Sequence, residues 1–536
     1  MGLTMNNSEP KTSSASRAAK GLLGSSAIVA SMTFLSRILG LVRDVVLAAF
    51  IGATANADAF FVAFKIPNFL RRLFAEGAFA QAFIPVLSDY RATGDERAIV
   101  QFINKMTGML GGVLLAVTAF MMVAAPVVTA IFAPGFMGDT AKFALTADML
   151  RITFPYLLFI SLTGVAGAIL NSYGYFAIPA VTPVLLNICL IAAALVAAPW
   201  FEPPIMALAW GVFAAGACQL TLQLPFLSRI QRLPKPVWDR KDEGVRRVLW
   251  LMVPALFGVS VSQINLLLDT VLASLLPSGS VSWLYYSDRL TELPLGVFGI
   301  AIATVILPNL SDLKAQQNHE QAKRVLDWAV RMVVLIALPA TVALWILSEP
   351  ILVTLFQYGA MQEHDIAMAT FSMRAYALGL LAFMLIKVLA PGFYAQKDTK
   401  TPVKIGIIAM VSNMALNVAF VFPLMHFYNL GHVGLALATS CSAFINAGLL
   451  MRGLRAKELL RWQIGWAKFL TTLLSALVSM SATLLLLLPL MQDFIGLVWW
   501  GRALQLGVLV AAGAASFGVV AYVGGIRLAQ LRSPSP

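Results

Sequence analysis

Charge is scarce in this chain: Asp, Glu, Lys and Arg make up 12% of its 536 residues, against about 25% in soluble domains. That shortage, with 59% hydrophobic residues and a mean hydropathy of +0.82, excludes an ordinary soluble protein. Cysteine is scarcer still. Cys189, Cys218 and Cys441 lie inside apolar runs without CxxC spacing, so neither a disulfide framework nor a thiolate site is expected. His319 falls in a polar connector and His364, His426 and His432 near expected loops; with no ligand cluster, no metal and no cofactor are expected. GxSxG, P-loop and HExxH motifs are missing, which leaves no recognisable catalytic set. The chain therefore reads as a non-enzyme, and any transport would draw on an ion gradient, the membrane potential or substrate flux.

What is present is apolar length. Runs long enough to cross a bilayer, about 20 residues each, follow one another from Gly24 to the C-terminus, whereas a β-barrel would show alternating segments of roughly ten residues. The chain reads as an all-α polytopic membrane protein with about fourteen spans, near 24–51, 56–87, 98–132, 144–172, 177–199, 204–229, 246–276, 280–311, 322–348, 364–395, 402–423, 431–453, 465–489 and 497–526. Residues 1–20, polar and rich in Ser, Ala and Lys, read as a disordered tail. They do not read as a cleaved signal, because the apolar segment that follows is too long and carries Arg37 and Arg43. A Pro- and charge-rich connector at 230–244 separates a first lobe, 21–229, from a second, 245–456, and residues 457–536 supply two further spans and a tail.

A net charge of +13 raises nucleic acid as a partner, but the basic residues sit in alternate connectors. About 25 Lys and Arg fall on one side of the expected spans, against Lys142 and Arg502 on the other. This is the positive-inside pattern, so both termini are expected in the cytoplasm and nucleic acid is not expected as a partner.

The two lobes read as repeats. IPVLSDYRA at 84–92 matches LPNLSDLKA at 307–315, an offset of 223 residues, and the same offset lays Pro179 on Pro402. With one residue of register change, IFAPG at 131–135 matches LFQYG at 355–359. Six intervening spans make the repeats parallel, which predicts a substrate site at the interface between halves.

Charges inside spans are costly, roughly 2.5–3.5 kcal/mol each on insertion scales. In 58–85, Asp58, Lys65, Arg72 and Glu76 are spaced by 7, 7 and 4, a helical stripe, with Arg71 about 100° away and Pro67 expected to bend the helix. Arg37 and Asp44 share one face of the first span. In the second lobe, Asp288 and Glu292 are i, i+4 neighbours and Arg289 reaches Glu292 at i+3; Lys387 is a further cation within a span. Mutual pairing accounts for the acids, but the cations Arg37, Arg43, Lys65, Arg71, Arg72, Arg289 and Lys387 outnumber them. An anionic ligand is expected, and arginine's bidentate fork favours a phosphate. Arg37, Arg72 and Arg289 are the candidate ligands, with Arg43, Asp44, Asp58, Lys65, Arg71, Glu76, Asp288, Glu292 and Lys387 as supporting charges. Arg43, Arg151, Arg331 and Arg374 are expected to snorkel. Asp269 reads as a lone acid without nearby oxygen ligands. The last two spans are nearly free of charge, and their leucine-rich faces read as lipid-facing.

SRILGLVRD (36–44), DAFFVAFKIPNFLRRLFAEGAFAQAFIPVLSDY (58–90), GVSVSQIN (258–265), SGSVSWLYYSDRLTELP (278–294), LFQYG (355–359) and KVLAPGFYAQKDTKTPVKI (387–405) closely resemble the MurJ (MviN) lipid II flippases. The resemblance covers the chain beyond its N-terminal tail. It implies a fourteen-helix member of the multidrug/oligosaccharidyl-lipid/polysaccharide exporter superfamily that moves the undecaprenyl-pyrophosphate-linked peptidoglycan precursor to the outer leaflet of the bacterial cytoplasmic membrane. It also implies lipid II and membrane lipids as the molecules met, the peptidoglycan-synthesis machinery as a partner, and a polyprenyl-tail groove on the last two helices. Some relatives bind sodium in the second lobe, a ligand set not recognised in this sequence. A flippase for another polyprenyl-pyrophosphate-linked oligosaccharide is the nearest alternative; a drug or cation exporter would need an acidic cavity, and a non-transporting scaffold would tolerate loss of the charges.

Overall fold

The computed structural model describes residues 12–72, 79–491 and 494–527, with side chains from Val29 onward except at 255, 257–262 and 300. Among the described residues every regular element is helical. In chain order the α-helices are α1 (Thr12–Ile51), α2 (Ala55–Arg71), α3 (Ala80–Thr93), α4 (Glu96–Val123), α5 (Ala125–Phe132), α6 (Thr140–Thr153), α7 (Pro155–Ser172), α8 (Ala177–Ala192), α9 (Met206–Arg229), α10 (Glu243–Ser274), α11 (Ser280–Pro294), α12 (Ile300–Ala315), α13 (His319–Ile346), α14 (Ser348–Phe356), α15 (Glu363–Tyr394), α16 (Lys400–Tyr428), α17 (Gly431–Ala456), α18 (Trp466–Leu487) and α19 (Trp499–Val523).

Eleven stretches among the described residues are long and apolar enough to cross a membrane. They coincide with eleven of the expected spans. The other three, 24–51, 56–87 and 246–276, each include residues outside those whose backbone or side chains are described. α1 begins at Thr12, within the stretch 1–20 that polarity reads as a tail. Ala15, Arg17, Ala18, Ala19 and Lys20 are strong helix formers.

The helices form two compact units. The first comprises residues 1–47, 63–126 and 147–259, and the second 48–62, 127–146 and 260–536. In the first, aromatic rings from α3 and α4 stack in a column: Phe79 on Phe83 at 4.9 Å, Phe83 on Phe102 at 5.6 Å, and Phe102 on Tyr90 at 4.6 Å. The connector after α9 is laid along α4. Val237 N donates to Asn104 O and Lys235 N to Asn104 Oδ1, while Lys105 pairs with Asp239 and Asp242 at 3.0 and 2.8 Å. Gly108 permits this approach, since a Cβ there would lie 2.3 Å from the Val237 carbonyl oxygen.

In the second unit α13 is central. One of its faces packs into a core with α12, α15 and α17, and Met332 and Leu335 meet Leu473, Leu477, Met480 and Leu484 of α18. The α18 positions are spaced 4, 3 and 4, one helical face. Leu474, Val478, Leu485 and Leu486 on the remainder of α18 are exposed. Only part of the penultimate span is therefore available to lipid; the rest is core.

Candidate functional site

In α1, Arg43 does not snorkel. It is buried, donating through Nε and Nη2 to Asp44 Oδ1 at 3.0 and 2.7 Å and through Nη1 to Asn187 Oδ1 at 3.1 Å. Asn187 in turn donates to Ser36 O, so an adjacent-residue ion pair is sealed by an amide from α8. Arg37, one to two turns earlier, is partly exposed and shows no ion pair among the described residues.

The α2 stripe divides. Lys65 and Arg72 are partly buried, and Arg71 donates through Nε to Asn68 Oδ1 at 2.8 Å. Glu76 lies outside the described residues. Asp58 leaves the stripe altogether: it is 1% exposed and serves as the cap of α11. Its Oδ1 accepts from Ser282 N and Oγ at 3.0 and 2.7 Å, and its Oδ2 from Gly279 N at 2.8 Å and Lys142 Nζ at 3.0 Å. Gly279 has φ +97°, a left-handed value that glycine adopts at little cost. It turns the chain so that Asp58, from a distant helix, reaches the free N–H groups of α11.

On α11 itself, Arg289 pairs with Glu292 at 3.2 Å, as the i+3 spacing predicts, and its guanidinium lies 5.1 Å from the Tyr285 ring centroid. Tyr285 stacks on Phe61 at 4.0 Å. Asp288 beside it is partly buried, and Lys387 on α15 is exposed.

The two cations counted apart from the others are both buried. Lys142 is held by Asp58 and Ser278. Arg502, 7% exposed in the first turn of α19, donates to four carbonyls: Leu497 at 2.9 Å, Val353 at 3.2 Å, Gln357 at 3.0 Å and Ile495 at 2.9 Å. Nor does Arg374 snorkel freely, since its Nε donates to Ser348 Oγ at 2.9 Å.

Asp269 is not alone. Asn417 Nδ2 donates to its Oδ1 at 3.1 Å, Thr439 Oγ1 to its Oδ2 at 3.4 Å, and Asn417 also reaches Asn413 Oδ1 at 2.7 Å. Asn417 Oδ1 is buried with no hydrogen-bond partner among the described residues. These oxygens were missed because they come from α16 and α17, far along the chain; the only local signal is the i, i+4 pair Asn413 and Asn417.

Each unit thus holds a buried ion pair, Arg43 with Asp44 in the first and Lys142 with Asp58 in the second, and part-exposed cations lie in both, Arg37, Lys65 and Arg72 in the first and Arg289 in the second. The family profile described as "Lipid II flippase MurJ" matches residues 47–500. The chain belongs to the MurJ lipid II flippase family. It is 48% identical over 524 residues to the probable lipid II flippase MurJ of Vibrio cholerae, covering 96% of this chain and 98% of that one. It is 41% identical over 452 residues to the lipid II flippase MurJ of Burkholderia cenocepacia, covering 84% and 86%. Among solved structures it resembles a lipid II flippase MurJ in an inward closed conformation, with a TM-score of 0.77 and 26% identity over 93% of this chain and 98% of that one. An inward-facing multidrug resistance MATE family transporter shares the fold, with a TM-score of 0.64 and 14% identity over 81% of this chain and 98% of that chain.

Proposed function

We propose that this protein flips lipid II, the undecaprenyl-pyrophosphate-linked peptidoglycan precursor, from the inner to the outer leaflet of the bacterial cytoplasmic membrane, and that cell-wall synthesis requires it. The observation that carries this reading is the family match across residues 47–500. The mechanism proposed is alternating access through a cationic central cavity, in a fourteen-helix arrangement of two parallel six-helix repeats plus two helices, with both termini cytoplasmic. Arg37, Arg72 and Arg289 hold the pyrophosphate, each offering a planar fork that matches phosphate oxygens. Lys65, Arg71 and Lys387 add positive charge, and Glu292 with Asp288 orients Arg289. The polyprenyl tail lies along α18 and α19, whose exposed leucines support that role.

Coupling to an ion gradient or the membrane potential belongs to the same proposal. The Asp269, Asn413, Asn417 and Thr439 side chains are hard oxygen donors with a single carboxylate, which suits a small monovalent cation. The basic surplus disfavours a drug or cation exporter; a different polyprenyl-pyrophosphate cargo is the alternative to separate. The deciding experiment is acute depletion of the protein followed by a leaflet-resolved lipid II assay. Accumulation on the cytoplasmic side with synthesis intact supports the flippase, and an unchanged leaflet distribution overturns it.

A further inference from the structure

Helix α15 runs between two groups of charge in the second unit, the α11 cluster around Arg289 and the oxygen donors around Asp269. Toward α11 it is held in register. Trp283 Nε1 donates to Asp365 Oδ1 at 3.0 Å and Ser287 Oγ to Ala369 O at 2.7 Å, both across 82 residues. Toward α17, Ser440 Oγ donates to Ala375 O at 2.8 Å, and its neighbour Thr439 is the residue that reaches Asp269.

This register places Tyr376. Residues 369 and 376 are seven apart and share one face of a helix, so Tyr376 stands on the α11 side of α15, two turns beyond the Ser287 contact. Ala375, tied to α17, is only about 100° away around the axis. A helical side chain leans back toward the N-terminus of its own helix, which carries the Tyr376 ring up toward the level of Glu292 and Asp288.

The hydroxyl on that ring is idle. Tyr376 is partly exposed, and among the described residues its Oη makes no hydrogen bond. Yet the carboxylates of Asp288, Asp269 and Glu292 all act on it electrostatically. Asp269 belongs to the proposed cation site, and Glu292 holds Arg289 at 3.2 Å. One unengaged donor therefore faces both groups. A phenol has a single O–H, so it serves one carboxylate at a time.

We infer, resting on the cation reading above, that Tyr376 couples the two groups: its hydroxyl donates to Asp269 while no cation is bound there and turns to Glu292 once a cation takes the Asp269 lone pairs. A hydrogen bond accepted by Glu292 weakens its hold on Arg289 and leaves the guanidinium freer for an anion. Cation and anion then strengthen each other's binding, by the same factor in both directions. Tyr376 is a positioning residue, since it acts through Asp269 and Glu292 rather than on either ligand.

That factor is measured on the full chain purified in neutral detergent, with geranyl pyrophosphate as the anionic probe and sodium replaced by choline at constant ionic strength. In the parent, sodium should tighten probe binding about tenfold, inside the usual range for coupled sites, and the probe should tighten sodium binding equally. Tyr376→Phe removes only the idle hydroxyl. It should keep the parent's unfolding temperature and its sodium affinity without probe, while the coupling falls to about twofold, the part carried by bare charge. Tyr376→Gln, which retains an N–H donor, should restore part of the factor. Equal coupling in the parent and Tyr376→Phe overturns the role of the tyrosine and leaves the cation site standing. Loss of sodium affinity by Tyr376→Phe without probe also overturns it, because the residue would then be a cation ligand. A parent indifferent to sodium, and matched by Asp269→Asn, overturns the cation reading and the coupling with it.

Discussion

Lys142 Nζ stands 3.0 Å from Asp58 Oδ2, and both side chains are almost fully withdrawn from solvent. The carboxylate of this pair also caps α11 through Gly279 and Ser282, so one acid joins α2, α6 and α11 within the second unit. Removing one member of a buried pair strands the other charge, at a cost of about 3–5 kcal/mol. Asp58→Asn and Lys142→Met should each lower the unfolding temperature of the purified protein by an amount of that order. The double variant should lose less than the sum, because neither charge is then left alone. Strict additivity would show that the pair is not coupled.

Arg72→Ala and Arg289→Ala test the proposed pyrophosphate contacts. A hydrogen bond to a charged group is worth about 1.5–3 kcal/mol, so each should cut the appearance of lipid II in the outer leaflet by roughly tenfold or more while membrane insertion stays normal. Arg289→Lys should fall between, since lysine keeps the charge and loses the fork. Normal flipping by both alanine variants would sink the assignment.

Asp398, in the connector between α15 and α16, accepts from Lys457 Nζ at 2.5 Å and from Thr401 N and Oγ1. The lysine bond first, then the Thr401 bonds, hold its carboxyl well below the usual carboxylate range. A depressed folded value means that the stabilisation is whole above the unfolded carboxylate value of about 3.9 and drains away as pH falls below it. Asp398→Asn should therefore lower the unfolding temperature at pH 7 and narrow the gap to the parent as pH drops from about 5 toward 2. A gap constant across that range would show that the charge does not matter.

What could be read in advance followed from how local each feature is. Apolar length alone marks the spans, and the Arg289–Glu292 pair lies one helical turn apart, so spacing predicts it. Asp58 was grouped with Lys65 and Arg72 because periodicity puts them on one stripe. Its true partners, Lys142, Gly279 and Ser282, lie 84 or more residues away, where no periodic pattern reaches. Asp269 seemed to lack oxygen neighbours for the same reason, and Arg43 was assigned to snorkelling because Asn187 of α8, which helps bury it, is 144 residues distant.

Arg502 bears on both stability and orientation. Its guanidinium fills a ring of carbonyls from α14, from Gln357 after it and from the chain before α19. With Lys142 also buried, neither of the two basic residues on the sparse side behaves as an exposed connector charge. Among the described residues the sparse side thus carries no exposed basic charge, the arrangement expected if the termini are cytoplasmic. Arg502→Met would take one donor from each of four carbonyls, of which Val353 keeps its bond from Gln357 N, at about 1–3 kcal/mol for each carbonyl left dry and unpaired. Arg502→Lys keeps the charge, but a compact ammonium with three donors cannot span acceptors set around a planar fork. Both variants should lower the unfolding temperature and expose the chain before α19 to protease, lysine nearly as much as methionine. If lysine restored full stability, charge rather than the fork would be what anchors α19 to α14.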